Sequence, residues 1–421
     1  MSASDRAPAP AAAGAAAAAF PVEAVRARFP ALREAGDRVI FADNAAGAQV
    51  PDEVVEGVRA HLAGQNVQRG GRYAASLAVD RKILETRTAL AEFVNAAGPE
   101  EIVFGLNATN LIRTVVDALR PRLRPGDELV VTELDHEANV GPWIRLERDG
   151  VKPRFWKVRD GEARLDFDDL RDLLRGGRVR AVALPLASNA CGRVVDVARA
   201  ASMAREAGAL TFVDAVHYGP HGPIDARALG ADCLAFSGYK IFGPHAGFLW
   251  GRGETLRWLT PARESFIPAN APDAYEAGTQ TFEGIAGLGA AMAYLRSLDP
   301  AGTLAGAMAR IRAYERGLSA ALVRGLAAVP GLSILGDPDP AHADQRVPTV
   351  SFRIEGVPAA ERIVERLAGL GIQARDGHMY APRLLAAAGF DPEAGVARVS
   401  LCHYNTTSEI DRILAAVRQL G

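Results

Sequence analysis

Short apolar runs alternate with amphipathic helix patterns along most of this chain, and this alternation constrains the fold more than any other feature. The runs are rich in Val, Ile, Leu and Phe, which is typical of strands buried on both faces of a sheet. Strands separated by helices indicate βα units and a largely parallel sheet. We therefore predict an α/β fold, with strands at Ile102–Phe104, Glu128–Thr132, Arg154–Val158, Val179–Leu184, Leu210–Val213 and Cys233–Phe236.

Helix patterns lie between these runs and indicate two domains. The predicted helices of the first part are Pro51–Gly64, Val79–Asn95, Thr109–Leu119, Asp166–Leu174 and Asp196–Glu206. After about residue 303 the pattern becomes a long helix followed by two strand-like runs and two further helices, at Thr303–Val329, Leu332–Leu335, Thr349–Arg353, Ala359–Leu370 and Thr407–Leu420. We expect a large domain at 41–302 and a smaller α+β domain at 303–421, on which the segment 20–40 packs.

Composition excludes several classes of protein. The chain has 421 residues and a formal net charge of −2, so no bulk field recruits nucleic acid or an anionic membrane surface. Its three cysteines, Cys191, Cys233 and Cys402, are far apart, which argues against a disulfide framework or a cysteine-rich metal site and favours the cytoplasm. Residues 1–19, rich in Ala and Pro, are predicted to form a disordered tail, and no apolar run is long enough to span a membrane.

Ligands of parallel α/β folds bind at the carboxyl ends of the strands, so the residues that follow each strand are the candidates for chemistry. Small residues and Thr109 open the helix after the first strand, and free N–H groups at such a helix start suit a phosphate. Ordinary capping by Asn107 is the alternative there. Asp214 ends another strand, where a buried carboxylate needs a cation such as a protonated pyridine nitrogen. A cap of the following turn is its alternative.

Lys240 follows a further strand and the small residues Ser237 and Gly238. Burial disfavours the ammonium form and leaves a neutral amine that can form a Schiff base, although many lysines in loops are simply exposed. His136 and Asn189 add polar side chains after two more strands. His136 with Glu137 lacks the second His of a zinc-protease helix, so we predict stacking or acid–base chemistry and no metal site.

These motifs together resemble the class V aminotransferase and cysteine desulfurase family of fold-type I pyridoxal-phosphate enzymes. The resemblance runs from about residue 20 to the C-terminus and is carried by Leu134–Asn139, Phe212–Tyr218 and Gly243–Gly251. It implies a large domain with a mostly parallel seven-stranded sheet, a smaller C-terminal α+β domain, pyridoxal 5'-phosphate as cofactor and an amino-acid substrate. It also implies a homodimer with shared active sites.

The family pattern assigns a role to each matching residue. Lys240 resembles the Schiff-base lysine and acid–base at the substrate's Cα, Asp214 the partner of the pyridine nitrogen, and His136 the ring stacked on the cofactor. Further cofactor contacts are implied for Ala108, Thr109, Ser237 and Tyr239 at the phosphate, for Asn189 and His217 at the phenolic oxygen, and for Gly278 and Thr279 at the phosphate of the neighbouring subunit. Substrate contacts are implied for Arg398 at the α-carboxylate, for Arg375 and Tyr380 nearby, and for Arg69 and Arg72 at a second anionic group, unless these two are merely solvated.

One departure from the pattern bears on the reaction. Desulfurases of this family carry a nucleophilic Cys in the loop where this chain has Tyr380, and a tyrosine cannot hold sulfur as a persulfide. We therefore predict β- or γ-elimination or replacement on an amino acid, and not desulfuration by the usual route. Racemisation or transamination is the alternative within the family, and a non-catalytic cofactor-binding scaffold is the alternative from another class.

Overall fold

A computed structural model of the protein describes residues 20–159 and 161–420. The predicted tail at 1–19 lies outside the described residues. The large domain is built on a seven-stranded sheet whose spatial order is β1-β7-β6-β5-β4-β2-β3. Its strands are β1 (Ile102–Gly105), β2 (Glu128–Thr132), β3 (Lys152–Trp156), β4 (Val179–Pro185), β5 (Leu210–Asp214), β6 (Cys233–Ser237) and β7 (Gly247–Gly251). Only β7 runs antiparallel to its neighbours, so the predicted α/β class is confirmed.

Helices cover both faces of this sheet. They are α1 (Asp52–Gly64), α2 (Ala74–Phe93), α3 (Ala108–Leu119), α4 (Phe167–Leu174), α5 (Val197–Glu206) and α6 (Phe282–Arg296). Successive residues of one strand enter different cores: Leu129 and Val131 pack with α3, whereas Val130 packs with α2, α5 and α6. Burial on both faces explains why these strands read as continuous apolar runs.

Glycines let α6 lie close against α1 and α2. A Cβ atom on Gly289 would lie 2.4 Å from Thr86 Oγ1, and one on Gly287 would lie 2.9 Å from Val58 Cγ2. The Gly284–Gly289 run is therefore a helix-packing surface. Its likeness to a dinucleotide-binding loop is superficial, since it lies inside a helix and does not follow a strand.

The strand predicted at 154–158 is wrong at its C-terminal end. The observed strand β3 spans Lys152–Trp156 at the edge of the sheet, where Pro153 is tolerated. The carboxylate of Glu133 then accepts a hydrogen bond from the Val158 N–H at 3.0 Å and turns the chain away from the sheet. Beyond β3, Val158–Arg159 pairs instead with Arg164–Leu165 as two antiparallel strands of two residues each.

The C-terminal part forms a smaller antiparallel sheet with helices packed on it. The strands are β8 (Leu332–Leu335), β9 (Thr349–Ile354) and β10 (Ala397–Ser400), and the helices are α7 (Leu304–Ala327), α8 (Ala360–Gly369) and α9 (Thr407–Arg418). The long helix α7 joins the two cores, because its first half packs with the large sheet and its second half with the small one. No helix in the described part of the chain is both long and apolar enough to cross a membrane.

The segment 20–40 contacts both cores. Val25 and Phe29 are buried with the large-domain cluster, whereas Ile40 pairs in parallel with Ile372 and belongs to the core of the small domain. Arg26 adds an ion pair of 2.9 Å to Glu409 in α9. The segment therefore ties the N-terminal end of the described chain to both domains.

Candidate active site

A cavity opens at the carboxyl ends of β2, β4, β5 and β6, where parallel α/β folds bind their ligands. It brings together all the predicted cofactor residues except Gly278 and Thr279. Its lining is Ala108, Thr109, Asp135, His136, Ala138, Pro185, Ala187, Asn189, Asp214, Val216, His217, Ser237, Tyr239 and Lys240.

The start of α3 forms one end of this cavity. Asn107 caps the helix, because its Oδ1 accepts a hydrogen bond from the Asn110 N–H at 2.9 Å. The alternative predicted for this helix start, ordinary capping by Asn107, is therefore confirmed. The first-turn residues Ala108 and Thr109 nevertheless line the cavity, opposite Ser237. Gly247 of β7 makes this approach possible, because a Cβ atom there would lie 2.7 Å from the Asn107 carbonyl carbon. Helix start, hydroxyls and close backbone approach together suit a phosphate.

Lys240 lies in the turn after β6 with only 8% of its surface exposed. Its Nζ donates a hydrogen bond to the Ala45 carbonyl. Burial, helped by the charge of Arg398, lowers the pKa of Lys240 to about 7, although Asp214 and Asp43 oppose the shift. A large share of this amine is therefore neutral and nucleophilic near pH 7.

Asp214 ends β5 and is also buried. Its Oδ1 accepts a hydrogen bond from the Val216 N–H at 2.9 Å. Burial raises the pKa of Asp214 to about 6, against the hydrogen bond and the charge of Lys240. A cationic ring nitrogen beside this carboxylate would compensate the cost of its burial.

Asp135 is a second buried carboxylate in the cavity, and the sequence reading gave it no role. It accepts hydrogen bonds from Thr132 Oγ1 at 2.8 Å and from Asn139 Nδ2 at 3.1 Å. Burial, with the charge of Asp214, raises the pKa of Asp135 well above its usual range. The signal that could have found it is its location three residues after a buried strand, just as Asp214 lies at the end of one.

His136 presents a neutral ring to the cavity. Its Nδ1 accepts a hydrogen bond from the Ala138 N–H at 2.9 Å, which fixes the ring's orientation. Burial, with the charges of Lys240 and Arg398, lowers the pKa of His136 to about 4. The ring of Tyr380 lies 5.3 Å from it, at an interplanar angle of 38°. A fixed, uncharged ring suits stacking on an aromatic ligand.

His217 and Asn189 complete the wall. His217 Nε2 lies 3.1 Å from Thr349 Oγ1, so only Nδ1 is left for a ligand. Asn189 Nδ2 donates to the Met379 carbonyl at 2.7 Å, while its Oδ1 is buried with no hydrogen-bond partner in the described structure. A buried polar atom without a partner is costly, and its location in this cavity indicates that a ligand satisfies it.

Asp43 holds the two arginines of the predicted carboxylate site together. Its Oδ1 lies 3.0 Å from Arg398 Nη2, and its Oδ2 lies 2.8 Å from Arg375 Nη2. Two guanidinium groups and one carboxylate leave one positive charge, which suits a single substrate carboxylate. The Nε of Arg398 is buried and lacks a hydrogen-bond partner in the part of the chain that the structure describes. Asp43 was missed in the sequence, although it too follows an apolar strand, Ile40–Phe41.

Arg398, Arg375 and Tyr380 are not among the residues that line the cavity, and neither are the remaining predicted residues. Gly278 and Thr279 lie in an exposed segment, where Gln68 Nε2 is 3.3 Å from Thr279 Oγ1. Arg69 is exposed and ion-paired with Asp80 at 3.3 Å, and Arg72 is exposed as well. Within one chain, Gly278, Thr279, Arg69 and Arg72 are therefore apart from the chemistry.

The donor set of the cavity fits pyridoxal phosphate. The anion site at the start of α3 corresponds to the phosphate of that molecule, and the buried carboxylate of Asp214 corresponds to its ring nitrogen. The fixed neutral ring of His136 corresponds to its ring face, and Lys240, with a lowered pKa, corresponds to its aldehyde. The unpartnered Asn189 Oδ1 is the observation that calls most directly for a bound group.

Comparison with known proteins agrees with this geometry. Residues 40–413 match the family described as Aminotransferase class-V. The chain is 34% identical to the aminotransferase-like protein FGM3 of Gibberella zeae over 95% of its own length and 98% of that protein's. It is 35% identical to the probable cysteine desulfurase 2 of Mycobacterium leprae, over 94% of this chain and 96% of that one.

Solved structures give the same result. The crystal structure of the Escherichia coli cysteine desulfurase CsdA, in an S-sulfonic acid form, has a TM-score of 0.83 to this chain at 31% identity and covers 95% of it and 98% of its own chain. The apo structure of a cysteine desulfurase from Thermococcus onnurineus has a TM-score of 0.86 at 27% identity and covers 96% of this chain and 99% of its own. The chain therefore belongs to the class-V aminotransferase family of pyridoxal-phosphate-dependent enzymes.

Proposed function

We propose that this enzyme catalyses β- or γ-elimination or replacement on an amino acid. The observation that carries the proposal is the composition of the site: the groups needed at the substrate's Cα are present, whereas the loop beside them offers Tyr380 and no thiol. All three cysteines are buried, with at most 2% of their surface exposed. Burial also raises the pKa of Cys233 and of Cys402 well above the usual range, which keeps both as thiols.

The residues divide the binding work between them. Ala108, Thr109 and Ser237 hold the cofactor phosphate, and Asp214 keeps the ring nitrogen protonated. Arg398 binds the substrate α-carboxylate with its guanidinium fork. Because Arg398 and Arg375 share the one carboxylate of Asp43, one net positive charge is left to balance the substrate. Bound pyridoxal phosphate supplies an electron sink for the bonds at Cα.

Lys240 moves the proton. With a pKa of about 7 it is available in both protonation states near neutral pH, which is the condition for efficient proton transfer. Its free amine would take the proton from the substrate's Cα, and the bound cofactor would supply the electron sink for the pair left there. That pair would expel a leaving group at Cβ; for a leaving group at Cγ, a proton must also leave Cβ.

Assembly and a competing reaction follow from the relatives. We expect a homodimer in which the exposed segment with Gly278 and Thr279 reaches the phosphate bound by the other subunit.

Several relatives are named cysteine desulfurases, and that reaction would need a thiol near the substrate sulfur. Cys402, four residues after Arg398, is the nearest candidate along the chain, and it is 1% exposed.

A substrate panel tests the proposal. We expect the purified holoenzyme to release 2-oxo acid and ammonia from amino acids with a leaving group at Cβ or Cγ, such as O-acetyl-L-serine, O-acetyl-L-homoserine or β-chloro-L-alanine. Lys240→Ala, with unchanged circular dichroism, should release none. Racemisation detected by chiral chromatography without keto-acid release would replace elimination by the racemase alternative, and sulfide release from L-cysteine at enzymatic rates would restore desulfuration.

A further inference from the structure

The loop at residues 376–381, here called the tyrosine loop, has a strained backbone at its tip. Met379 and Tyr380 have φ of 53° and 55°, so two adjacent non-glycine residues are in the left-handed region. Each such residue costs about 1–3 kcal/mol and persists only where the surroundings enforce it. Strain of this kind is concentrated at functional sites, so the tip of the tyrosine loop is a candidate for a functional role.

Both carbonyls of the tip are held by walls of the active site. The Met379 carbonyl accepts a hydrogen bond from Asn189 Nδ2 at 2.7 Å, and the Tyr380 carbonyl accepts one from the Glu137 N–H at 2.8 Å. Arg383, just beyond the loop, pairs with the Glu137 carboxylate at 2.8 Å. The loop is therefore fixed to the segments that carry the cofactor residues.

This fixation leaves the tyrosine side chain exposed beside a wall of the cavity. Met379 is buried, whereas Tyr380 is 61% exposed, and its ring centroid lies 5.3 Å from that of the half-buried His136. Tyr380 follows Arg375 by five residues, and Arg375 is ion-paired with Asp43 at 2.8 Å. The tyrosine ring therefore lies beside the His136 wall of the cavity, in the same chain segment as Arg375.

We propose that Tyr380 is the general acid for the leaving group of the substrate, an inference that rests on the proposed elimination. In the β-elimination step, Lys240 takes the Cα proton and the C–H electron pair becomes the Cα–Cβ double bond. The bond from Cβ to the leaving atom breaks, and that atom departs with the bonding pair and the phenolic proton. Water at the exposed side of the ring returns a proton to the phenolate.

Three features of the site fit this role. A phenolic O–H is a proton donor that can protonate an alkoxide or hydroxide as it leaves. The proton donor, Tyr380, and the proton acceptor, Lys240, are separate groups on different loops, so the two proton transfers do not compete for one side chain. The exposed ring also has a route for reprotonation that a buried acid would lack.

Leaving groups that differ in their need for a proton test the inference. Chloride leaves without protonation, whereas hydroxide or methoxide does not. For Tyr380→Phe we expect kcat/KM to fall about 100-fold or more with L-serine and O-methyl-L-serine, and to change less than about threefold with β-chloro-L-alanine. Tyr73→Phe, at another exposed tyrosine, should leave both values unchanged.

Two further measurements separate acid catalysis from a structural role. In wild type the solvent deuterium isotope effect on kcat/KM should be larger for L-serine than for β-chloro-L-alanine, and this difference should disappear in Tyr380→Phe. The affinity for glycine, which has no leaving group, should be the same in both proteins when it is titrated through the cofactor absorbance. A loss of glycine binding would show that the ring only shapes the site and would overturn the inference.

The outcomes for the inference and for the proposed function are distinct. If wild type eliminates all three substrates and Tyr380→Phe affects them equally, elimination stands and the acid role of Tyr380 is wrong. If wild type eliminates chloride but neither oxygen leaving group, the acid has no use and the inference is again wrong. If wild type eliminates none of them, the proposed function fails and the inference fails with it.

Discussion

Asp214 has a cost in stability that its proposed role beside the ring nitrogen would explain. Its pKa is raised from 3.8 to about 6 by burial, so in the cofactor-free protein the ionised carboxylate opposes folding. A shift of this size corresponds to about 3 kcal/mol. The pKa of Asp214 is higher in the folded state than in the unfolded state, so the protonated carboxyl stabilises the fold relative to the ionised form. This stabilising contribution is fully present below pH 3.8 and is lost as pH rises through about 6. A residue retained at such a cost is a candidate for a functional role.

Asp214→Asn separates the two effects. We expect turnover to fall about 100- to 1,000-fold, because the preorganised partner of the ring nitrogen is lost. The cofactor-free variant should be as stable as wild type or more stable at pH 7, and its unfolding free energy should decline less than that of wild type between pH 4 and pH 6, where Asp135 still contributes. Steady-state rates and urea unfolding at several pH values measure both. Near-normal turnover in the variant would rule out the role assigned to this carboxylate.

Sequence reasoning found the site residues that follow recognisable strands and missed those that depend on distant contacts. Lys240 and Asp214 each follow an apolar run, and the structure brings both into one cavity. Asp43 was missed because its meaning comes from Arg375 and Arg398, more than 300 residues away along the chain. The hydrogen bond from Asn189 to the Met379 carbonyl was equally invisible, since no local pattern encodes which backbone group a side chain meets.

At the scale of elements, the approach between β7 and the start of α3 decides the anion site. Gly247 allows this approach, because a Cβ atom there would lie within 2.8 Å of two backbone atoms of Asn107 and 3.1 Å from the Ala108 nitrogen. Backbone atoms cannot move aside as a flexible side chain can. Any side chain at this position must therefore move α3 away from the sheet.

Gly247→Ala should weaken cofactor binding more than it weakens folding. We expect the affinity for pyridoxal phosphate to fall about tenfold or more, since about 1.4 kcal/mol of lost contact is enough for that. Equilibrium dialysis measures the affinity, and circular dichroism checks the fold. Gly317→Ala is the control: it lies inside α7 with nothing within 4 Å of its added Cβ, and it should leave cofactor affinity unchanged.

Elements were predicted best where the pattern was long and periodic. The helix expected at Thr303–Val329 is observed at Leu304–Ala327, and the one at Ala359–Leu370 is observed at Ala360–Gly369. The error at 154–158 arose because Glu133, a residue of another segment, captures the Val158 N–H. A tertiary hydrogen bond overrode the local propensity there.

On the scale of the whole molecule, the cavity depends on contacts between the two domains. Thr349 of β9 reaches His217, and Arg398 of β10 donates to the Asn189 carbonyl at 3.0 Å. Helix α7 adds Glu315, whose carboxylate lies 2.7 Å from His221 Nδ1 in the loop after β5. The sequence indicated a change of pattern near residue 303, but only the folded chain reveals that strands of the C-terminal sheet hold the wall residues His217 and Asn189 in place.

This arrangement also determines where sulfur chemistry could occur. A persulfide route needs an accessible thiolate beside the substrate, whereas the three cysteines are distributed over the buried interior of both domains. Cys402 is buried, and its raised pKa makes it a poor nucleophile. The tyrosine loop, whose Tyr380 ring lies beside His136, carries no thiol.

We therefore expect a variant with Cys191, Cys233 and Cys402 all replaced by alanine to keep the wild-type kcat on its elimination substrate. Removing three buried sulfur atoms should cost a few kcal/mol of unfolding free energy, because each leaves a small cavity, so rates are compared at a temperature where both proteins are folded. Wild type incubated with L-cysteine should show no protein-bound persulfide by mass spectrometry. Loss of turnover on replacing Cys402 with the fold intact, together with a persulfide trapped at that residue, would contradict elimination through Lys240 and Tyr380 and make sulfur transfer the reaction of this site.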